Sequence, residues 1–424
     1  MRFMACIFYD VIYGLGLLLS LPVFGKRLFG GDGRFHDFFE RFAVYEPVVV
    51  SKLKEKRNIW IHTVSIGELL ASVPLIYEIL NRFKNEQLVI SCVSRTGRMI
   101  AAEKLPDDVV KIFLPFDFSF VTQQAVKKVN PILFVSMETE IWCNLFHKLK
   151  QRNVPIMIIN GRISEKSFRG YSRFRFFTKI ILDMVDCFIM RSQKDAERII
   201  CLGADGKKVS IAKSMKFDQA YNLSNVVQQD SVYKTIGKTI VFGSIHKGEE
   251  KQLGGICKKL LNKYQNINLV IAPRALDRTN IYQLLTQFDI PFYRFSQLKG
   301  EKSRVLVVDR YGVLTEFYRI ADIVFIGGSL VPAGGQNPIE PLAFKKPVIY
   351  GVFHWDFEEE WEKIKKAQAG IEVNSFDELF EKIEFLLNSP ELCQKMGESG
   401  YQVILENKGA TEDTMKMLEK YLTR

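Results

Sequence analysis

The feature that most constrains this chain is a series of short, continuous apolar runs, most of them followed by a stretch of helical spacing. The first series reads "NIWIHTVS" (58–65), "QLVISCVS" (87–94), "KIFLPFD" (111–117), "ILFVSMET" (132–139), "PIMIING" (155–161) and "CFIMRS" (187–192). A second begins after residue 235 with "TIVFGSI", "INLVIAPR", "PFYRFS", "RVLVVDR", "ADIVFIGG", "PVIYG" and "GIEV". A strand with one solvated face alternates apolar and polar residues; these do not alternate, so both of their faces are buried. Strands of that kind separated by helices form parallel sheets, and two series predict two doubly wound α/β domains. The length of 424 residues agrees, being too long for one compact core.

The polar stretch 218–235, "DQAYNLSNVVQQDSVYKT", is the expected linker. It divides a domain over 26–217 from one over 236–405, and a final helical segment, 406–424, is placed to pack back on the first domain. Seven scattered cysteines without a C-x-x-C pair, and five histidines without ligand spacing, predict a reducing compartment and no structural metal. The run 3–24, "FMACIFYDVIYGLGLLLSLPVF", is nearly long enough to span a bilayer, although Asp10 interrupts it. Lys26, Arg27, Arg34 and Arg41 follow it and only Arg2 precedes it, so residues 1–25 are expected to be a retained anchor with the rest of the chain cytoplasmic. The net charge of +11 attracts polyanions, and the anchor favours a membrane surface over nucleic acid.

Open parallel sheets bind ligands beyond the C-terminal ends of their strands, here expected in a cleft between the two domains. Ser65-Ile66-Gly67-Glu68 follows the first strand and has the spacing of a capping box. The same geometry leaves Glu68 at a helix N-terminus, where the dipole favours the ionised carboxylate that a general base needs. Glu138 and Glu140 follow the fourth strand, and alternation puts both on one side. Arg162, Arg169, Lys213 and Lys216 also follow strands, Lys216 at the mouth of the expected cleft.

In the second domain "FGSIHKGEE" (242–250) carries Ser244 and His246 at a strand-to-helix turn, "APRALDR" supplies Arg274, and "DRYGVLTEFY" places Gly312 at another turn. "GGSLVPAGGQNPIEPLAF" (327–344) has Asn337 as expected N-cap and Pro338 at the first helical position. Its glycines, Gly334 and Gly335 among them, are expected to let backbone N–H groups cradle an anion, with Glu340 better suited to neutral hydroxyls such as those of a ribose. Neither a P-loop nor an early G-x-G-x-x-G is present, which weighs against ATPase and dehydrogenase chemistry.

Taken in order, "IWIHTVSIGE", "METEIWCNL", "NGRISEKSFRGY", "SMKFD", "GSIHKGEE", "PR", "VVDRYGVLTEFY" and "GGSLVPAGGQNPIEPLAF" resemble the 3-deoxy-D-manno-octulosonic acid (Kdo) transferases of Gram-negative lipopolysaccharide synthesis, glycosyltransferase family 30. The resemblance implies a GT-B fold of two Rossmann-like domains and an inverting transfer of Kdo from CMP-Kdo to a lipid A precursor (lipid IVA). It also implies catalysis at the cytoplasmic face of the inner membrane with no metal and no cofactor. It makes Glu68 the general base and Glu138 with Lys216 the stabilisers of the transition state. Pro273, Arg274, Tyr311, Gly312, Val313, Asn337, Pro338, Ile339 and Glu340 become the CMP-binding residues. Ser244, His246, Gly334 and Gly335 are further donor-loop candidates. The chain departs from the family at Ala275 and Gln336, where the family carries His. The competing readings are another GT-B enzyme, such as a UDP-sugar transferase or nucleotide-sugar epimerase, and a non-catalytic sugar-nucleotide-binding membrane protein.

Overall fold

A computed structural model describes residues 6–7, 9–19, 34–225, 237–298 and 304–423. They fall into two compact units, residues 1–219 with 408–424 and residues 220–407. Each is built on a seven-stranded sheet whose registered pairs are all parallel.

In the first unit the strands are β1 (Arg57–Thr63), β2 (Glu86–Cys92), β3 (Val110–Phe113), β4 (Pro131–Met137), β5 (Ile156–Gly161), β6 (Cys187–Met190) and β7 (Val209–Ile211). Their order is β3-β2-β1-β4-β5-β6-β7. The chain moves outward from β1 to β3 and then returns to the other side of β1 with β4. This reversal makes the C-terminal ends of β1 and β4 the switch point, where open α/β sheets leave a crevice. Helices cover both faces, so Ile59, Trp60 and Ile61 of β1 and Leu133, Phe134 and Val135 of β4 are wholly buried. Trp60 and Phe134 meet edge to face at 5.2 Å. Burying each such side chain contributes roughly 1.5–3 kcal/mol, which explains why the runs are apolar throughout. The short β7 is the one strand here that apolar runs did not reveal, since its residues are only partly buried or exposed.

The second unit carries β8 (Lys238–Ile245), β9 (Ile267–Pro273), β10 (Tyr293–Arg294), β11 (Val305–Val307), β12 (Ile323–Ile326), β13 (Val348–Gly351) and β14 (Gly370–Val373). Their order is β10-β11-β9-β8-β12-β13-β14, which sets the switch point at the ends of β8 and β12. Every residue of β9 is buried.

Two segments differ from expectation. The helix Met215–Asn225 occupies the first part of the stretch expected to be a linker, while 226–236 lie outside the described residues. It forms because Met215, Phe217 and Ala220 are buried and the Asn160 side chain accepts the Met215 N–H at 3.0 Å. The expected anchor is described only in part, since residues 1–5, 8 and 20–33 lie outside the described residues. Residues 9–19 are helical and packed on the first unit. Asp10, which read as an interruption, accepts the Ser119 N–H at 3.0 Å and the Asn144 amide at 2.8 Å, with the Ser119 hydroxyl on its other oxygen. Tyr13 meets Phe118 edge to face at 5.1 Å. Among the described residues no helix is long and apolar enough to cross a membrane.

Candidate active site

At the switch point of the first unit, Ser65 caps the helix Ile66–Arg82 and the capping box is complete. The Ser65 hydroxyl accepts the Glu68 N–H at 3.1 Å, and the Glu68 carboxylate accepts the N–H groups of Val64 at 2.8 Å and Ser65 at 3.2 Å. Two orphan donors are thereby satisfied, and the carboxylate is pinned where β1 ends. Its protonation differs from what the helix dipole alone predicts. Burial pushes the Glu68 pKa up, the negative charge of Glu138 pushes it further, and the two N–H bonds only partly offset this, leaving it at about 7. Glu140 adds a smaller push in the same direction. Desolvation outweighs the helix terminus because the side chain is almost wholly out of water.

Glu138 follows β4 directly and sits in the left-handed region at φ 53°. A non-glycine residue there is strained, and the neighbouring strand holds it: the Glu138 N–H donates to the Ile159 carbonyl at 2.9 Å. The Lys216 ammonium stands 3.7 Å from the Glu138 carboxylate, with Lys216 almost buried. The structure therefore brings Glu68 and Lys216, each in the first turn of a helix, and Glu138, just after β4, into one neighbourhood at the C-terminal side of the first sheet. Two residues not carried as site residues belong with them. Glu140 has its pKa raised by burial and by Glu138. Asn160, buried at φ 50° near the C-terminal end of β5, holds by its Oδ1 the helix start that carries Lys216. The Asn-Gly pair after an apolar run was the signal for Asn160.

In the second unit the expected donor residues gather at the ends of β8, β9, β11 and β12. Ser244 is at φ 56°, and the Arg274 N–H donates to the Ile245 carbonyl at 2.8 Å, tying the first two loops together. The Tyr311 hydroxyl accepts the Leu276 N–H at 3.1 Å, and Gly312 is at φ 83°. Val313, Pro338 and Ile339 are buried. Asn337 lies one residue before the cap of the helix Ile339–Ala343, yet its Oδ1 still accepts the Ile339 N–H at 3.1 Å, and its amide donates to Glu340 at 3.1 Å. The departure at Gln336 is accommodated: its amide nitrogen stands 3.0 Å from His246 Nε2. Burial and the nearby Arg274 lower the His246 pKa, so the ring is neutral and accepts from that amide.

The glycine-rich turn is not the open cradle its composition suggests. The N–H groups of Gly328 and Leu330 donate to Glu249 at 2.7 and 3.2 Å, and that of Gly335 donates to the Gly328 carbonyl at 2.9 Å. These donors are satisfied from within the protein. Among the described residues no group of His, Cys, Asp or Glu is placed to hold a metal ion.

A family model described as 3-deoxy-D-manno-octulosonic-acid transferase (kdotransferase) matches residues 36–219. A 3-deoxy-D-manno-octulosonic acid transferase of Haemophilus influenzae is 33% identical over 375 residues, 87% of this chain and 88% of that protein. One from Chlamydia pneumoniae is 25% identical over 425 residues, covering 98% and 96%. A glycosyltransferase structure from Rickettsia africae shares the fold with a TM-score of 0.58 at 15% identity, over 87% of this chain and 99% of that one. With a relative of this identity matched along nearly its whole length, and a buried carboxylate cluster at the switch point of the first sheet, the chain belongs to the Kdo transferase family.

Proposed function

We propose that this chain transfers Kdo from CMP-Kdo to a hydroxyl of a lipid A precursor, with inversion at the anomeric carbon. The observation that carries the mechanism is Glu68: a carboxylate held by two backbone N–H groups, with a pKa of about 7 matched to a general base at neutral pH. As the acceptor oxygen attacks the anomeric carbon from the face opposite CMP, Glu68 takes its proton. The bond from that carbon to the phosphate oxygen breaks, and its electron pair leaves with CMP. Positive charge grows on the sugar and negative charge on the phosphate. In the first unit Lys216, with Glu138 beside its ammonium, is the cation for the developing negative charge; in the second unit Arg274 is the residue for the CMP phosphate and Asn337 through Glu340 those for the nucleoside.

The acceptor is an acylated lipid, and the surface of the first unit suits delivery from a membrane. Val11, Ile12, Leu15, Leu18 and Leu19 of the N-terminal helix are exposed. Phe120, Phe174 and Phe176 in the same unit are exposed as well, and Arg173 and Arg175 are interleaved with the last two. An apolar face bordered by cations is suited to lie in the interface of an anionic leaflet, here the cytoplasmic face of the inner membrane.

The deciding experiment is mass analysis of the lipid after incubation with CMP-Kdo and a lipid A precursor. The expected product is heavier by whole Kdo units, with CMP released in equal number. Unchanged lipid, or CMP release without lipid gain, would overturn the reading. Glu68→Gln is expected to lose ~10² or more in rate, the usual contribution of a positioned base.

A further inference from the structure

The switch point of the second sheet lies between β8 and β12, the place where a doubly wound domain ordinarily offers backbone N–H groups to an anionic ligand. Here the anion is the protein's own. Glu249 is wholly buried, and one carboxylate oxygen accepts the N–H groups of Gly328 at 2.7 Å and His246 at 2.9 Å while the other accepts that of Leu330 at 3.2 Å. All three partners are donors, so an acceptor-only carboxylate satisfies them together and a carboxamide does not.

The turn that Glu249 fills is a junction of three loops. The Gly328 carbonyl accepts the Gly335 N–H at 2.9 Å, which suspends the segment leading to Asn337 and Glu340. Ser329, also wholly buried, accepts the Gly351 N–H on its hydroxyl at 2.8 Å and the Phe353 N–H on its carbonyl at 2.9 Å, which suspends the loop after β13. Gly328 itself is at φ 68°, and a Cβ there would stand 2.8 Å from the His246 ring, so the turn and the imidazole fit only with glycine at this position.

We propose that Glu249 is a positioning residue, a built-in anion that closes the phosphate-type cradle of the second sheet and uses it to hold the donor-binding loops in register. The donor phosphate is then met by the Arg274 side chain, after β9, and the nucleoside by the suspended 337–340 segment, rather than either by the glycine turn. This rests on reading the second unit as the CMP-Kdo-binding half.

Full-length wild type, Glu249→Gln and Glu249→Asp are compared by calorimetric titration with CMP, by steady-state kinetics and by amide hydrogen exchange. Glu249→Gln sets an NH2 group against backbone donors. It is expected to weaken CMP binding and raise the KM for CMP-Kdo by on the order of tenfold, the scale of one lost hydrogen bond to a charged group. The KM for the lipid acceptor is expected to keep its wild-type value, and Glu249→Asp, which keeps the charge on a shorter stem, to fall between the two. Exchange should quicken at 334–340 and 351–356 while β8 and β9 stay protected.

CMP affinity equal to wild type in Glu249→Gln, or both KM values moving together with exchange quickened throughout the unit, would overturn the proposal. Should Glu249→Gln not fold, the same exchange pattern in Glu249→Asp decides it. A wild type that binds no CMP would overturn the donor reading instead, and the exchange pattern would still test the clamp.

Discussion

At the residue scale the chemistry depends on how far the fold displaces one carboxyl from its ordinary behaviour. Glu68 shifts from 4.5 to about 7. In its proposed role as base Glu68 works only when ionised, so kcat/KM is expected to be level above pH 7 and to fall about tenfold per unit below it, read from a pH–rate profile. Glu138 and Glu140 raise that pKa by like charge, so Glu140→Gln should move the acid limb to lower pH while retaining transfer. The linkage runs the other way for stability. A carboxyl with a raised folded pKa holds its proton more tightly when folded, so its contribution is present below about pH 4.5 and lost as pH rises through 7. The shift corresponds to on the order of 3 kcal/mol. Denaturant titrations of wild type and Glu68→Gln should therefore differ by an amount that moves against the wild type between pH 5 and pH 8.

At the scale of elements, the N-terminal helix shows how one polar residue changes the meaning of an apolar run. Asp10 sends its carboxylate inward to Ser119 and Asn144, and Tyr9 stacks on Phe177 at 6.2 Å, so one side of the helix is occupied by the protein. Val11, Ile12, Leu15, Leu18 and Leu19 are left facing outward. Replacing Leu15 and Leu18 by Glu is expected to abolish co-sedimentation with anionic vesicles while leaving the melting temperature unchanged, because both residues are more than half exposed. Asp10→Ala should do the reverse to the fold: the amide and hydroxyl donors of Ser119 and Asn144 lose their acceptor, at a cost of about 1–3 kcal/mol measured by chemical denaturation.

At the scale of the molecule, the first unit is not contiguous in sequence. The chain leaves it at 219 and returns at 408. The return is fastened by Asp218, whose carboxylate accepts the N–H groups of Gly409 at 2.8 Å and Ala410 at 3.0 Å and so caps the last helix, Ala410–Leu422. Met415 and Leu418 of that helix are fully buried, and Arg82 reaches Glu412 at 2.7 Å and Glu419 at 3.0 Å. Removing 408–424 is expected to lower the melting temperature of the first unit and open it to proteolysis while the transition of the second unit stays in place, as scanning calorimetry would resolve. The Arg82 contacts join residues more than 300 positions apart, so the unit closes only after the rest of the chain has been made.

The fold class and the start of the helix Ile66–Arg82 were legible because they rest on local rules. Continuous apolar runs report strands buried on both faces, and Ser65 with Glu68 reports a cap that two residues three positions apart form between themselves. What those residues do was decided elsewhere. Desolvation and Glu138, 70 positions away, take the Glu68 pKa to about 7, against what the helix terminus alone would do. A carboxylate 79 positions from Gly328 fills the turn whose glycines read as an open cradle. Asp10 became a tether rather than an interruption through Ser119, 109 positions on. Strand and cap patterns are energies between chain neighbours, which a sequence contains; desolvation, charge proximity and the filling of a hydrogen-bonding cradle are energies between groups that only tertiary packing brings together.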